Sequence, residues 1–235
     1  MRLLAGTSGY SFKEWKGSFY PEDIKADGML SFYATKFPTI EINNTFYRLP
    51  KENVLREWAS QVPPEFTFAL KASQRITHHT RLKAESQSLV EFLLKNTALL
   101  EDRLGPILFQ LPPNMKKDLP RLETFLAQLP SSVPAAFEFR HPEWFDDDVL
   151  ELLRSQNRPL VVSDTDDLPT THIDKTADWG YLRLRRVNYS EENLVDWAER
   201  IRKQNWKETF LFFKHEDEGT GPKLAAQFLS LANAG

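Results

Sequence analysis

The chain has 235 residues, 41% of them hydrophobic, enough to bury one sizeable core in one large domain or two small ones. Lys plus Arg number 30 against 33 Asp plus Glu, a net charge of -3 that argues against a dedicated nucleic-acid coat or a membrane-surface protein while leaving room for a local basic patch. With no Cys in the chain, disulfides, thiolate zinc sites and cysteine nucleophiles are excluded.

The opening MRLLAGTSGY carries an apolar run too short for a signal peptide, and no segment reaches transmembrane length, so a cytoplasmic protein is expected. Within it, RLLAGTS (2–8) predicts a first strand, and the loop after it is aromatic: Phe12, Trp15, Phe19 and Tyr20. TIEIN (39–43) predicts the second strand, followed by NNTFYRLP and a helix with Val54, Leu55, Trp58 and Val62 on one face. FTFALKA (66–72) is the third strand, and the stretch 85–100 aligns Leu89, Phe92, Leu93 and Leu100 as an apolar stripe. PILFQL (106–111), AAFEFR (135–140), PLVVSD (159–164), GYLRLR (180–185) and TFLFFKH (209–215) complete eight strands. Between the last two, Ser190 is a predicted N-cap with Glu191 and Glu192 in the first turn, and Leu194, Trp197, Ala198 and Ile201 recur at helical spacing. Prolines fall singly or in pairs between elements, and no linker or repeat divides the chain.

Eight strands alternating with helices over this length predict an α/β fold, a single (β/α)8 TIM barrel spanning 1–235. The alternative is an open doubly wound sheet with an extra lobe, but GTSGY after the first strand lacks the spacing of a dinucleotide loop. Strand side chains alternate faces. If Phe137 and Phe139 pack outward on helices, Glu138 and Arg140 point inward near the C-terminal strand ends, where this fold carries its sites. Ile40 and Ile42 turn Glu41 and Asn43 inward by the same parity. Lys71 goes with Ala69, Gln110 opposes Phe109, Asp164 opposes Val161, Arg183 and Arg185 oppose Leu182 and Leu184, and Lys214 ends the last strand. Lys71, Arg140, Arg183, Arg185 and Lys214 against Glu41, Glu138 and Asp164 leave this mouth two positive charges in excess. Desolvating so many charges costs several kcal/mol per ion unless they pair, which favours use by a polar, anionic ligand over a plug of salt bridges.

The chemistry such a set supports is limited. Glu138 and Glu41 form a candidate acid/base pair, and a single carboxylate, Asp164 included, could act as base beside Lys or Arg electrophiles. Lys71 could form a Schiff base if it lost its proton; a charged Lys71 bonded to Glu41 is the plainer expectation. Arg140 and Arg183 suit bidentate recognition of phosphate or carboxylate. Asn43, Asn44, Tyr47 and Arg48 in NNTFYRLP, together with Gln110, His141, Arg185 and Lys214, complete the candidate substrate contacts. Phe46 and Trp144, like the aromatics of the first loop, either stack on a ligand or cap the barrel. His78, His79, His141, His172 and His215 show no paired metal spacing. A metal set of Glu41, Glu138, Asp164 and His141 would be opposed by the interleaved Arg and Lys, so neither metal nor cofactor is expected.

The blocks GTSGYSFKEWKGSFYPE (6–22), EINNTFYRLP (41–50), FALKASQRITH (68–78), GPILFQLPP (105–113), FEFRHPEWF (137–145) and YSEENLVDWAERI (189–201) occur in order along the whole chain. Through them it resembles the domain-of-unknown-function 72 (YecE-like) family, a resemblance that implies a TIM barrel and supplies no function. Two places depart from the family pattern. The seventh strand, usually Tyr-x-Arg-x-His-Gly, keeps Tyr181 and Arg183 but continues with Arg185 and Arg186, and the eighth has Lys214 and His215 in place of an Asn pair. Both changes make the mouth more basic. The favoured expectation is a metal-independent hydrolase, lyase or isomerase acting on a small anionic, phosphorylated or sugar-like ligand. The alternatives are a nucleic-acid-binding or nucleic-acid-processing barrel using RLRR (183–186) and RIRKQNWK (200–207), and a non-catalytic ligand-binding barrel; no membrane partner is expected.

Overall fold

In a computed structural model of the chain, all eight strands form where the β-rich runs predict them. They are β1 (Arg2–Thr7), β2 (Thr39–Ile42), β3 (Thr67–Lys71), β4 (Leu104–Gln110), β5 (Ala135–Glu138), β6 (Val162–Asp164), β7 (Trp179–Leu184) and β8 (Glu208–Phe213). The structure describes every residue except Leu168, Thr171, Glu216 and Gly235, with only the backbone of Ala234. Among the described residues, no helix is long and apolar enough to cross a membrane.

Every strand pair is parallel, but the ladders divide into two four-stranded sheets, ordered β1-β8-β7-β6 and β2-β3-β4-β5, rather than the one closed sheet expected. The sheets touch at two seams, each through an isolated bridge: Ser8 with Glu41, and Phe137 with Leu160. The first seam has a visible cause. The Tyr33 hydroxyl stands between the strands, accepting from the Thr7 N–H at 2.8 Å and donating to the Thr39 carbonyl at 3.1 Å. Gly6 permits this approach, since a Cβ there would lie 2.2 Å from the Thr39 carbonyl oxygen. At the second seam, the Thr176 hydroxyl takes the Leu160 N–H at 2.7 Å, and β6 is only three residues long.

Helices α1 (Met29–Ala34), α2 (Glu52–Ser60), α3 (Gln87–Thr97), α4 (Leu119–Leu126) and α5 (Asp147–Ser155) follow the first five strands, with α6 (Glu191–Arg202) after β7 and α7 (Thr220–Ala234) after β8. No helix forms among the described residues between β6 and β7, where one was expected. In that polar segment the backbone groups are tied by hydroxyls instead: Thr170 Oγ1 donates to the Ser163 carbonyl and Thr176 Oγ1 to that of Arg158, each at 2.8 Å. The predicted cap of α6 is present as a reciprocal box, with Ser190 Oγ accepting from Asn193 N–H at 3.2 Å and Asn193 Oδ1 accepting from Ser190 N–H at 3.1 Å. The stripe on α3 is rotated from the one predicted. Val90, Leu93 and Thr97 are buried, while Phe92 is 58% exposed.

Two large apolar clusters fill the space between strands and helices, one of them containing Ile40, Ile42, Leu182 and Phe213, the other Phe109, Phe125, Phe137 and Trp144. A third, inner cluster gathers Leu4, Ala69, Leu108, Ala136, Val161, Tyr181, Phe210 and Phe212. It holds one face of β1, β3, β4, β5, β7 and β8, with the Ala residues making room for the rings. That face continues toward the C-terminal strand ends as Lys71, Gln110, Glu138 and Arg183.

The Tyr33 hydroxyl fills both hydrogen-bonding roles at the first seam, so Tyr33→Phe should lower unfolding free energy by about 1–3 kcal/mol, the cost of leaving buried polar groups unpaired. Urea unfolding measures it. A loss under about 0.5 kcal/mol, the scatter of neutral substitutions, would mean that the seam does not depend on this bridge.

Candidate functional site

Alternation along β2, β5 and β7 brings two carboxylates and a guanidinium to one buried point. Ile40 and Ile42 are packed among the helices, so Glu41 faces inward; Phe137 and Phe139 do the same for Glu138, and Leu182 and Leu184 for Arg183. All three charged side chains are sealed from solvent. Glu41 Oε1 accepts from Ser8 Oγ at 2.6 Å, Asn43 Nδ2 at 2.9 Å and Arg183 Nη2 at 3.0 Å, while Oε2 accepts from the Tyr181 hydroxyl at 2.7 Å. Arg183 Nη1 donates to Glu138 Oε2 at 2.7 Å, so a single guanidinium spans both carboxylates.

A second layer lies nearer the surface. Glu138 Oε1 accepts from Arg185 Nη2 at 3.1 Å and, at a looser 3.3 Å, from Nε and Nη2 of Arg140. The Arg185 guanidinium also donates to Ser163 Oγ. Lys71 makes no ion pair among the described residues; its ammonium sits 4.3 Å from the centre of the Phe46 ring. The expected Lys71–Glu41 pair is therefore absent, because Glu41 is already saturated by four other donors. A cleft of about 1210 Å³ opens over this layer, with Glu138, Arg140, Ser163, Arg185, Lys214 and His215 among its lining residues. In its wall the Arg140 side chain is 37% exposed, whereas Arg183, beneath it, is 3% exposed.

The electrostatics follow from this arrangement. Burial opposes ionisation of both carboxylates, but the arginines outweigh it. Arg183, with the Ser8, Tyr181 and Asn43 hydrogen bonds, holds Glu41 below the usual carboxylate range. Arg183, Arg185 and Arg140 hold Glu138 at about 2. Arg183 is pushed up despite its burial by the two carboxylates. Lys71 is brought down to about 8, by burial first and then by Arg183. His78, whose ring meets Phe46 edge-on at 4.9 Å, is lowered by burial and then by Lys71 and Arg140. Four cations, Lys71, Arg140, Arg183 and Arg185, thus surround two carboxylates.

Several candidates stand apart from the cluster. Asp164 faces the other side of β6 from Ser163, accepting from Tyr189 Oη at 2.9 Å, Thr170 N–H at 2.8 Å and Arg186 Nη2 at 2.8 Å. The parity of PLVVSD was misassigned because two adjacent valines offer no polar contrast. Val161 packs in the inner cluster and Val162 with the helices, which turns Asp164 outward. Gln110 points inward and is buried, and its amide has no hydrogen-bond partner among the described residues. Asn43 reaches Glu41, but Asn44, Tyr47 and Arg48 lie on the exposed side of their loop, Tyr47 being 71% exposed. His141 Nδ1 accepts from the Glu143 N–H at 3.4 Å, capping a 3₁₀ turn. Lys214 is exposed in the cleft wall. Trp15, Tyr20 and Trp144 are buried as loop core; Trp144 stacks on Phe139 at 4.7 Å and its indole N–H donates to the Met115 carbonyl at 2.7 Å. Phe12 and Phe19 pack with Trp15, leaving Phe46 and Tyr47 as the aromatics beside the site. Sequence reasoning gave no site role to Ser8, Tyr181 or Ser163; a hydroxyl on the inward parity was the signal for each, with Tyr181 also standing in the family's seventh-strand pattern. No three His, Asp or Glu among the described residues are grouped to hold a metal ion.

Two measurements test this electrostatic account. The ordinary carboxylate value is 4.5, and the folded protein holds Glu138 at about 2, so ionised Glu138 contributes its full stability above the higher value and loses it as pH falls toward the lower. Thermal melts between about pH 6 and pH 2.5 should show this loss, and Glu138→Gln should flatten it; an unchanged slope in that variant would remove Glu138 from the acid transition. Arg183→Ala, which strands two buried carboxylates, should cost about 3–5 kcal/mol in urea unfolding. A cost under roughly 1 kcal/mol, that of a surface pair, would contradict its central position.

Comparison with known proteins gives a consistent placement. UPF0759 protein YunF of Bacillus subtilis (strain 168) is 25% identical over 253 residues, covering 91% of this chain and 90% of its own length. UPF0759 protein YecE of Escherichia coli (strain K12) is 35% identical over 117 residues, 49% of this chain and 43% of its own. The crystal structure of a DUF72 family protein (TM1631) from Thermotoga maritima MSB8 superposes with a TM-score of 0.85 at 29% identity, covering 99% of this chain and 100% of that one. The family model described as "Protein of unknown function DUF72" matches residues 4–235, and the chain belongs to that family.

Proposed function

We propose that the chain is a single-domain, metal-independent enzyme of (β/α)8 architecture that acts on a small anionic substrate at the C-terminal ends of its strands. The two half-sheets are read as one barrel because both seams carry parallel bridges and because one inner cluster draws on both sheets. The observation that carries the function is the charge balance: four cations around two carboxylates leave two positive charges beside an open cleft, and an anionic ligand would complete them.

Roles divide by exposure. Glu41, Glu138 and Arg183 are positioning residues, since both carboxylates and both terminal nitrogens of Arg183 are already hydrogen-bonded and both carboxylates stay ionised far below neutral pH. Neither is suited to carry a proton in a reaction near pH 7. Arg140, loosely held and partly exposed, and Arg185 would take the anion, with Lys214 at the entrance. Lys71 is the one group of the cluster brought close to neutrality, which makes it the proton carrier. That favours a lyase or isomerase, which moves a proton next to a carbonyl, over a two-carboxylate hydrolase.

Nucleic-acid binding has less support. In RLRR, Arg183 and Arg185 are turned into the cluster and Arg186 pairs with Asp164 at 2.7 Å. In RIRKQNWK, Arg200 covers the Trp197 ring at 4.0 Å, Arg202 donates to the Ala232 carbonyl and Lys207 pairs with Asp178 at 2.6 Å.

Sulfate at tens of millimolar should raise Tm above a sodium chloride control of equal ionic strength, since binding to the folded state alone stabilises it, by roughly 2–4 °C for each kcal/mol. Arg140→Ala should fold and lose the gain. Lys71 carries its charge only below about 8, so the gain should shrink, without vanishing, as pH rises through that value. No sulfate-specific gain, or a full gain in Arg140→Ala, would sink the anion site.

A further inference from the structure

We propose that Lys71 is an amine nucleophile that captures anionic aldehydes or ketones as an imine, the substrate's anionic group being held by Arg140 and Arg185. This deepens the anion-binding reading above and rests on it.

The geometry singles out this lysine. Three lysines near the surface are tied to oxygen: Lys117 to Asp146, Lys207 to Asp178 at 2.6 Å, and Lys175 Nζ to the Gln204 carbonyl at 2.6 Å. Such contacts stabilise the ammonium, and for Lys117 and Lys207 they raise its pKa. Lys71 differs in each respect. It is half-buried at the end of β3, has no carboxylate or carbonyl partner among the described residues, and lies against the face of Phe46. Among its charged neighbours, Arg183 and Arg140 oppose a further positive charge, while Glu138 and Glu41, both bonded to arginine, favour one; burial and the arginines outweigh the carboxylates. A lysine desolvated next to other cations is the arrangement that yields a neutral, nucleophilic amine, and its value near 8 agrees.

The step balances without any oxidant or reductant. The Lys71 ammonium first gives a proton to solvent or to the neighbouring His78 imidazole. The nitrogen lone pair then forms a C–N bond to the carbonyl carbon while the C=O π pair moves to oxygen. Two protons on that oxygen, one of them from the nitrogen, let it leave as water, and a protonated imine remains. Overall, one ammonium and one carbonyl become one iminium and one water. The iminium is an electron sink for proton or carbon–carbon cleavage at the adjacent carbon, which is lyase or isomerase chemistry. Arg140 and Arg185, on the loop after β5 and the end of β7, would hold a carboxylate or phosphate attached to that carbonyl.

The test is reductive trapping. The full chain is incubated with glyoxylate, and separately with neutral acetaldehyde, in the presence of cyanoborohydride, and labelled lysines are located by peptide mass mapping. Glyoxylate should modify Lys71 on the order of ten-fold or more faster than surface lysines. Acetaldehyde should show much less preference, and sulfate should suppress the glyoxylate label. Lys71→Arg keeps the charge and should keep the sulfate-dependent rise in Tm while losing the selective label; Lys117→Arg, outside the cleft, should keep both. Label spread evenly over surface lysines, or an overall labelling rate unchanged in Lys71→Arg, overturns the imine. If sulfate still raises Tm in that case, the anion site stands without it; if sulfate has no effect either, both fall together.

Discussion

The Arg183 guanidinium is the contact on which the rest of the site depends. Two carboxylates sealed from water on neighbouring faces of one interior would repel each other strongly, because charges interact several-fold more steeply in a protein interior than in water. Arg183 answers both with separate nitrogens, Nη2 to Glu41 and Nη1 to Glu138. Its planar fork allows this where an ammonium, a single point charge, would not. The trio alone still carries one negative charge. Arg185 and Arg140 then reach Glu138 from the surface side, and the balance turns positive.

Beneath the trio lies the inner apolar cluster, and Tyr181 joins the two. Its ring packs 5.3 Å from that of Phe212 and its hydroxyl donates to Glu41. The rings of Phe210 and Phe212 fit because Ala69 and Ala136 face them on the same inner surface. The charges therefore rest on a dry floor, which magnifies every interaction above it. Replacing such an ion cluster by apolar side chains is often neutral or stabilising, so stability alone gives little reason for it. A use for the excess positive charge gives a better one.

The strands were legible because β-rich runs bounded by turns are a strong local signal, and on five of them, β2, β3, β4, β5 and β7, parity also placed the inward residues Glu41, Lys71, Gln110, Glu138 and Arg183. Parity failed on β6, where Val161 and Val162 are equally apolar and only tertiary packing chooses between them. It failed in kind on α3, where Leu89, Val90, Phe92 and Leu93 crowd the helix with more apolar residues than one face can bury, and Phe92 was left outside. The division into two sheets was not legible at all. It depends on a hydroxyl from α1, Tyr33, reaching between β1 and β2, a contact no local pattern encodes. Roles were harder than places. Arg183 read as a ligand contact until its two terminal nitrogens proved to be committed to carboxylates, and the hydroxyls that complete Glu41, from Ser8 and Tyr181, lie 33 and 140 residues away along the chain.

The departure at the end of β7 bears on the size of the charge the site would accept. Where the family pattern carries His, this chain has Arg185, which bonds Glu138 at 3.1 Å and Ser163. A neutral imidazole there would leave Lys71, Arg140 and Arg183 against Glu41 and Glu138, a single positive charge in excess. Arg185 makes it two. The added guanidinium stands on the cleft side of Glu138, whereas Arg186, the other new cation, is spent on Asp164 and Tyr189. The extra charge is thus placed on the cleft side, and on the anion-binding reading proposed above a dianion such as a phosphoryl group would neutralise it where a lone carboxylate would not.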